Sequence, residues 1–444
     1  VAQGAGHGRM TPVLFITYYW PPSGGAGVQR GLKFVKHLPQ RGVRPIVLTV
    51  DPMQASYPAV DPSLEAEVPA DVRVVRTPSF EPLRLLAALG GRGAVPHAGF
   101  ASGGKEGLLK RAMRWVRGNW MIPDARRGWV RHAVKAAIPL IEQEGIGTVV
   151  ISSPPHSAQL IGLRLKERFP KLRWIADLRD PWTDIYFARE LMKGPRAQRL
   201  DSAYEAAVLE QADAAVVVGP SMRTAFAERH GPQVAAKLHV IPNGYDADDL
   251  KGLAHHPLPT DRLRITYVGT MAGSYAPQAF FAAVAQAMKH APLPIELRFI
   301  GQVGPAVREA AAQAGVLDRC VWNEPVKHAK ALEEMASAHV LLLVIPEGPG
   351  EEGILTGKLF EYLAVQRPIL GLGPVDGDAG RIVAACGAGA FFTRQQVEAM
   401  AAWLVARAEA VRAGTDHGVT GGLHTRYERR EAAAALAALI RPAG

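Results

Sequence analysis

The chain has 444 residues, with 51 Lys and Arg against 41 Asp and Glu and a net charge of +10. That length exceeds one ordinary core, so two domains are expected. No run of about 18 uncharged apolar residues occurs, which excludes a spanning helix. Two cysteines, Cys320 and Cys386, are too few for a disulfide framework and suit a reducing compartment, and no Cys/His cluster has zinc spacing. The opening residues, VAQGAGHGRM, lack a hydrophobic signal core and read as a disordered lead or an upstream translation start. The basic balance admits nucleic acid, membrane or anionic substrates. No RNA-binding aromatic signature or zinc finger accompanies it, so nucleic acid is not expected.

Apolar runs of strand type alternate with helical patterns along most of the chain. The expected strands of the first half are Val13–Thr17, Pro45–Val50, Val72–Arg76, Thr148–Ser152, Trp174–Ala176, Ala214–Val218 and His239–Ile241. In the second half they are Arg264–Val268, Glu296–Ile300, Cys320–Trp322, Val340–Ile345 and Pro368–Leu372. Helical spacing falls between them, at Ala203–Gln211, Pro277–Lys289 and Ala329–Ala338, and again at Tyr427–Ile440. This alternation predicts α/β architecture with parallel sheets. The Pro/His-rich stretch after Ile241 marks a boundary, giving two Rossmann-like domains over 1–252 and 260–426, with 427–444 packing back across the boundary. Residues 85–105 are Gly/Ala-rich and read as a mobile loop.

Much of the positive charge is local. From Lys105 to Lys135 there are nine Lys and Arg against Glu106 and Asp124. Leu108, Leu109, Met113, Trp115, Val116, Trp120 and Met121 are interleaved with them, the pattern of an interfacial helix on anionic lipid. The alternative is a solvated helical face whose aromatics belong to the core.

Three stretches carry candidate chemistry. In "FITYYWPPSGGAGVQRGLKFVKHL" a strand meets a glycine turn and a helix, the layout that offers backbone N–H groups to phosphate. It is not a dinucleotide fingerprint, because Arg30 stands where the last glycine belongs. The nearest P-loop candidate, "GILTGKL", is one residue short and has Leu359 where the magnesium hydroxyl should be. What remains is the turn Gly24-Gly25 at a helix start, which also suits a plain strand–helix connection.

In "VVISSPPHSAQLIGLRLKERFPKLRWIADLRDPWTD" two strands end in polar residues. His156, Asp177, Arg179 and Asp180 are expected at the carboxyl ends of parallel strands, where α/β folds bind ligands. In "IPEGPGEEGILTGKLFEYLAVQRPILGLG" an aliphatic strand runs into a loop, then a helix with Thr356 as its N-cap. Lys358 and the free N–H groups of that helix start would hold a diphosphate, and Glu361, one turn on, would accept both hydroxyls of a ribose. Asp376-Gly377-Asp378 mimics a metal-binding pair, but turn chemistry explains it.

Together YYWPPSGGAGVQR, SSPPHS, DLRDPW, VIPNGYD, ITYVGT and TGKLFEYLAVQRPIL resemble the large family of retaining GT-B glycosyltransferases that includes sucrose synthases and bacterial mannosyltransferases. The stretches follow the family's order over nearly the whole chain, closest to its surface-polysaccharide branch. The resemblance implies two Rossmann-like domains facing across a cleft, with the C-terminal helix crossing back. It assigns the acceptor to the first domain and a nucleoside-diphosphate sugar to the second. His156 and Asp180 become the catalytic pair. Gly24, Gly25, Gly269, Thr270, Val326, Thr356, Lys358, Leu359 and Glu361 become the donor contacts.

The resemblance further implies a metal-independent hexosyltransferase with no cofactor beyond the sugar nucleotide, acting on a lipid-linked or polysaccharide acceptor. Such a protein is expected in the cytoplasm, peripheral to the inner face of the membrane. Two positions depart from the family pattern. Gly353, beside Glu352, stands where the first acid of E-x7-E belongs, and Thr270 stands where an Arg usually follows the first strand of the donor domain. The alternatives are a UDP-sugar epimerase of the same architecture and a degenerate member that binds without turnover.

Overall fold

The computed structural model describes residues 10–81, 108–184, 191–253, 258–416, 418–419 and 421–441. The expected mobile loop at 85–105 and most of the N-terminal lead lie outside the described residues. The chain packs as two units. One contains residues up to Pro242 together with Arg429–Gly444; the other is Asn243–Glu428.

The first unit holds a seven-stranded parallel sheet ordered β3-β2-β1-β4-β5-β6-β7. Its strands are β1 (Thr11–Thr17), β2 (Val43–Val50), β3 (Arg73–Thr77), β4 (Thr148–Ser153), β5 (Arg173–Leu178), β6 (Ala214–Val217) and β7 (Leu238–Val240). Its helices are α1 (Ala26–His37), α2 (Leu108–Trp120), α3 (Val130–Glu144), α4 (Gln159–Arg168), α5 (Pro195–Gln211), α6 (Pro220–His230) and the short α7 (Pro232–Ala235). Near-continuous Val, Ile and Leu along β1, β2 and β4 fit strands covered on both faces. One face packs with Trp129, Ala133, Ile161 and Leu165. The other packs Val28, Leu32 and Val35 of α1 with Ala433, Leu436 and Ile440.

The second unit holds a six-stranded parallel sheet ordered β10-β9-β8-β11-β12-β13. Its strands are β8 (Leu263–Val268), β9 (Ile295–Ile300), β10 (Cys320–Asn323), β11 (Val340–Val344), β12 (Ile369–Leu372) and β13 (Gly389–Phe392). The helices are α8 (Gln278–Ala287), α9 (Pro305–Gln313), α10 (His328–Ala336), α11 (Gly357–Ala364), α12 (Asp378–Ala385) and α13 (Val397–Ala413). Helix α14 (Arg429–Ile440) returns to the first unit. In both sheets the strand order reverses beside the central strand, β1 against β4 and β8 against β11, which is where doubly wound sheets open a crevice.

Every expected strand is present within two residues at each end, and β13 was not anticipated. Gly389-Ala-Phe-Phe is short and half small residues, so it gives no apolar run. Helix α5 begins eight residues earlier than expected, because its first half is polar and buries Asp201 through Lys193 and Trp182.

Candidate functional site

In the second unit the loops after β8 and β9 touch. Gly269 and Gly301 have φ of 112° and 129°, the region that favours glycine, and the Gly269 N–H donates to the Ile300 carbonyl at 2.8 Å. A Cβ on Gly301 would collide with the Gly269 carbonyl, and one on Gly269 would lie 3.2 Å from Lys358 Nζ. The ammonium therefore lies directly against this glycine. Lys358 Nζ donates to the Tyr267 hydroxyl at 2.5 Å and sits 4.1 Å from the centre of that ring. Tyr267 in turn donates to the Thr270 carbonyl at 2.7 Å. Burial pulls the Lys358 ammonium down to about 7, and Glu361 opposes the shift. An anion arriving there would supply the charge that the site withholds.

Thr356 occupies the N-cap of α11, but its hydroxyl caps nothing: Oγ1 is buried with no hydrogen-bond partner. The first N–H groups of α11 have no helical acceptor. Leu359 is completely buried in the core, and its N–H donates to the Thr356 carbonyl at 3.2 Å. Its expected donor contact is therefore not available to the side chain. Glu361 lies 3.0 Å from His328 Nε2, not on Lys358, and keeps 30% of its side chain exposed. His328 follows the exposed Val326 by two residues, so the pair brings the Val326 segment beside Glu361. Gly353 ends a short turn, with Glu352 exposed beside it.

In the first unit, Gly24 is fixed by its N–H donating to the Ala59 carbonyl at 2.9 Å, and Gly25, at φ 82°, is the N-cap of α1. Asp177 and Arg179, expected at the crevice, are instead buried and structural. Arg30 donates Nε and Nη2 to the Asp177 carboxylate at 2.8–3.1 Å, and Ser152 Oγ donates to it at 2.8 Å. The same guanidinium holds the Ile241 and Pro242 carbonyls. Arg179 donates to the carbonyls of Ser153, Pro154 and Gly27, tying the loops after three strands together.

His156 and Asp180 do meet. They line one cavity of about 260 Å³ with Tyr19, Arg126, Trp182 and Lys193. The His156 ring stacks on Trp182 at 4.7 Å and meets the Pro181 backbone. Burial holds the imidazole down to about 4, against the pull of Asp124, so it is neutral at neutral pH. Burial also raises the Asp180 carboxyl, with Arg179 opposing. Asp124 accepts from the Ser157 N–H and hydroxyl, both at 2.8 Å, and so fixes the turn that carries His156. Arg126 keeps a raised pKa: burial disfavours its charge, but Tyr19, Tyr18, Asp124 and Glu81 outweigh that.

Sequence reasoning missed Arg126, Asp124 and Lys193, since each reaches the cavity from a segment with no motif. Asp378, of the metal-like pair, is the buried first residue of α12. Among the described residues no group of His, Cys, Asp or Glu is placed to hold a metal.

Residues 83–249 match the family model described as Glycosyltransferase Family 4. Among curated protein sequences no relative matches. Solved structures do. The sucrose-phosphate synthase of Thermosynechococcus elongatus has 16% identity and a TM-score of 0.57, covering 97% of this chain and 98% of its own. HepE of Anabaena, solved in complex with UDP, has 12% identity and a TM-score of 0.61, over 97% and 99% of the two chains. A structure from Listeria monocytogenes assigned to UDP-N-acetylglucosamine 2-epimerase has 14% identity and a TM-score of 0.52, over 97% and 96%. The fold is that of GT-B glycosyltransferases. Because the epimerase shares it, the fold alone does not separate transfer from epimerisation; the family match over 83–249 favours transfer.

Proposed function

We propose that the protein is a metal-independent, retaining glycosyltransferase of bacterial surface-glycan synthesis. It moves a hexose from a nucleoside diphosphate held by the second unit to a lipid-linked or polysaccharide acceptor held by the first. The observation that carries this is the start of α11, where Lys358 lies against Gly269 and the Thr356 hydroxyl is buried without a partner. Small residues at Gly269 and Gly301 let backbone approach a diphosphate, and the helix start with Lys358 balances its charge. This gives the site an electrostatic device for the departing diphosphate. Glu361 holds the ribose, and the Val326 segment receives the base.

His156, neutral over the physiological range, serves as a hydrogen-bonding group toward the reacting sugar, not as a carrier of a full proton. The acceptor proton passes to the leaving diphosphate, so no separate base is required. Asp180 orients the acceptor. No cofactor takes part beyond the sugar nucleotide, which is a substrate. Helix α2 exposes Trp115 (48%), Val116 (40%) and Trp120 (76%) and docks the protein on anionic lipid at the inner face of the membrane. No described helix is long and apolar enough to cross a membrane.

The test is a panel of UDP-, GDP- and dTDP-sugars read by melting temperature, followed by product analysis with glycolipid acceptors. A native-state binder raises the melting temperature. One nucleotide class should do so, and its sugar should appear on the acceptor with retained anomeric configuration. Isomerisation of the donor without acceptor, or binding without turnover on any acceptor, would overturn the reading.

A further inference from the structure

We propose that Tyr267 is a positioning residue of the second unit: its hydroxyl and ring hold the Lys358 ammonium beside Gly269 and leave that charge for an incoming diphosphate. The diphosphate rests on the transferase reading above; the coupling of Tyr267 to Lys358 rests on their contacts.

A buried charge is normally paired with an opposite one. Lys358 is not: among the described residues no carboxylate forms an ion pair with it, and Glu361, three residues on, pairs with His328. What holds the ammonium is neutral. Tyr267, at the end of β8, is completely buried; its hydroxyl accepts from Nζ at 2.5 Å, and its ring centre lies 4.1 Å away. The hydroxyl proton is used elsewhere, on the Thr270 carbonyl at 2.7 Å. The oxygen therefore turns a lone pair, and not its proton, toward the ammonium. One chain of bonds thus runs from the first turn of α11 to the turn after β8, across Gly269.

The other groups near the ammonium leave its charge in place. Tyr275, in the turn after β8, has its ring centre 5.8 Å from Nζ and meets the Tyr267 hydroxyl. Burial raises the pKa of both tyrosines, so both are neutral at neutral pH. Tyr362, behind them on α11, accepts from the Val268 N–H at 3.2 Å, and burial raises it too. Glu361 favours the charged lysine from beyond ion-pair distance.

A carboxylate at position 267 would cancel the ammonium and repel phosphate. A hydroxyl and a ring face orient the cation and leave its charge uncancelled. A lysine stem is long and rotatable, so an unanchored ammonium would spread over many positions. Ordering it before the diphosphate arrives lowers the entropy lost on binding.

The experiment is calorimetric titration of UDP, GDP and dTDP into the full chain, Tyr267→Phe, Lys358→Met and the double variant, between pH 6.5 and 8.5. Phe keeps the buried ring and removes only the oxygen. For the nucleotide that binds, Tyr267→Phe should weaken affinity about fivefold, but by less than about twofold where Lys358 is already Met, because the hydroxyl acts through the ammonium. The pH above which affinity falls should move down by about half a unit to one unit in Tyr267→Phe, since the charged amine loses an acceptor. Tyr275→Phe leaves the bond to Nζ in place and should cost less than about twofold. Should Tyr267→Phe not fold, replacing tyrosine by 3-fluorotyrosine weakens the acceptor, and it should shift the same pH profile downward unless Lys358 is Met.

An equal loss in both lysine backgrounds would show that Tyr267 only packs, and would overturn the inference. So would full affinity in Tyr267→Phe, an unmoved pH profile, or an equal loss in Tyr275→Phe. The two readings fail in different ways. No nucleotide bound, or affinity that Lys358→Met leaves unchanged, defeats the diphosphate assignment and this inference with it. Affinity that depends on Lys358 and ignores Tyr267 defeats this inference alone.

Discussion

The carboxyl edges of the two sheets are built from different materials. In the first unit the loops after β1, β4 and β5 are held by buried charge: Arg30 on Asp177, and Arg179 on three carbonyls. In the second, the loops after β8 and β9 meet through glycines, and the Lys358 ammonium beside them lies on a tyrosine ring. Large side chains leave a walled cavity with polar groups at fixed points. Glycines leave exposed backbone, suited to close approach by phosphate. The two edges share topology and differ in what they can recognise.

The largest effect should follow from breaking the charged frame of the first unit. Asp177→Ala leaves the Arg30 guanidinium buried beside an empty space and frees Ser152. Removing one partner of a buried pair typically costs about 3–5 kcal/mol. Because Arg30 also holds Ile241 and Pro242, the loss should appear as a lowered denaturation midpoint of the first unit, measured by Trp fluorescence in urea. A double replacement, Arg30→Met with Asp177→Leu, should recover only part of it, because the Ile241 and Pro242 carbonyls lose their donor. A single variant as stable as wild type would show that the pair only fills space.

In the second unit the matching test concerns Lys358. Its pKa of about 7 lies below that of a free lysine, so the unfolded chain binds more protons from about pH 7 upward. Stability of the unliganded protein should therefore rise as pH increases through that window, and Lys358→Met should flatten the rise. Nucleoside diphosphate binding needs the charged form. Affinity should fall about tenfold per pH unit above pH 7, until the bound-state pKa is reached. Lys358→Met should remove this slope and weaken binding at pH 6.5 by about tenfold or more, from the loss of a charge-assisted contact of roughly 1.5–3 kcal/mol. Calorimetry at pH 6.5 and 8.5 decides. A slope that survives in the variant would remove Lys358 from the phosphate site.

The contrast also explains what the sequence made legible. Strands such as Val340–Val344 are aliphatic and two-faced, so their pattern announces them, whereas β13 carries two small residues and does not. The stretch around Thr356 and Lys358 was readable because its chemistry is local: a cap, a glycine and a lysine in three consecutive residues. The stacking of Lys358 on Tyr267 was not, since the partners are 91 positions apart. In the first unit the same limit misled the reading of DLRDPW. Its four polar and aromatic residues look alike in sequence, yet Asp177 and Arg179 face buried partners while Asp180 and Trp182 face the cavity. Alternation along the chain separates them, but only once the ends of β5 are known.

A smaller effect is expected at the rim of the second unit's site. Glu361→Gln keeps the shape and one acceptor, but loses the charge that would accept two ribose hydroxyls. Affinity for the nucleoside diphosphate should fall by about tenfold, the loss of one charge-assisted bond of roughly 1.5–3 kcal/mol. If Glu361 served only His328, at 3.0 Å and partly exposed, the pair would be worth about 0.2–1 kcal/mol to stability and nothing to the nucleoside diphosphate. Calorimetric titration of the nucleoside diphosphate that binds the wild type into both proteins separates these roles. Unchanged affinity in a folded variant ends the ribose assignment.

The smallest single contribution belongs to helix α2, which borders the cavity of the first unit through Arg117 and exposes Trp120 on its surface. Its buried contacts are already defined: a Cβ on Gly118 would collide with the Leu191 carbonyl, and Asn119 bonds to Met192 and Gly194. The exposed aromatics therefore do not hold the helix in place and are available to a lipid surface. Each cation near anionic lipid contributes about 1 kcal/mol, so Arg111→Glu should weaken vesicle binding by roughly fivefold or more. Trp120→Ser should weaken it further at every salt concentration, because an indole inserts by burial and not by charge. Wild-type protein should sediment with anionic vesicles at low salt and release as salt rises, since exposed charges are screened. Equal sedimentation with neutral and anionic vesicles, or none with either, would show that the basic and aromatic face of α2 meets only water. A lipid-linked acceptor would then have to reach the cavity from solution.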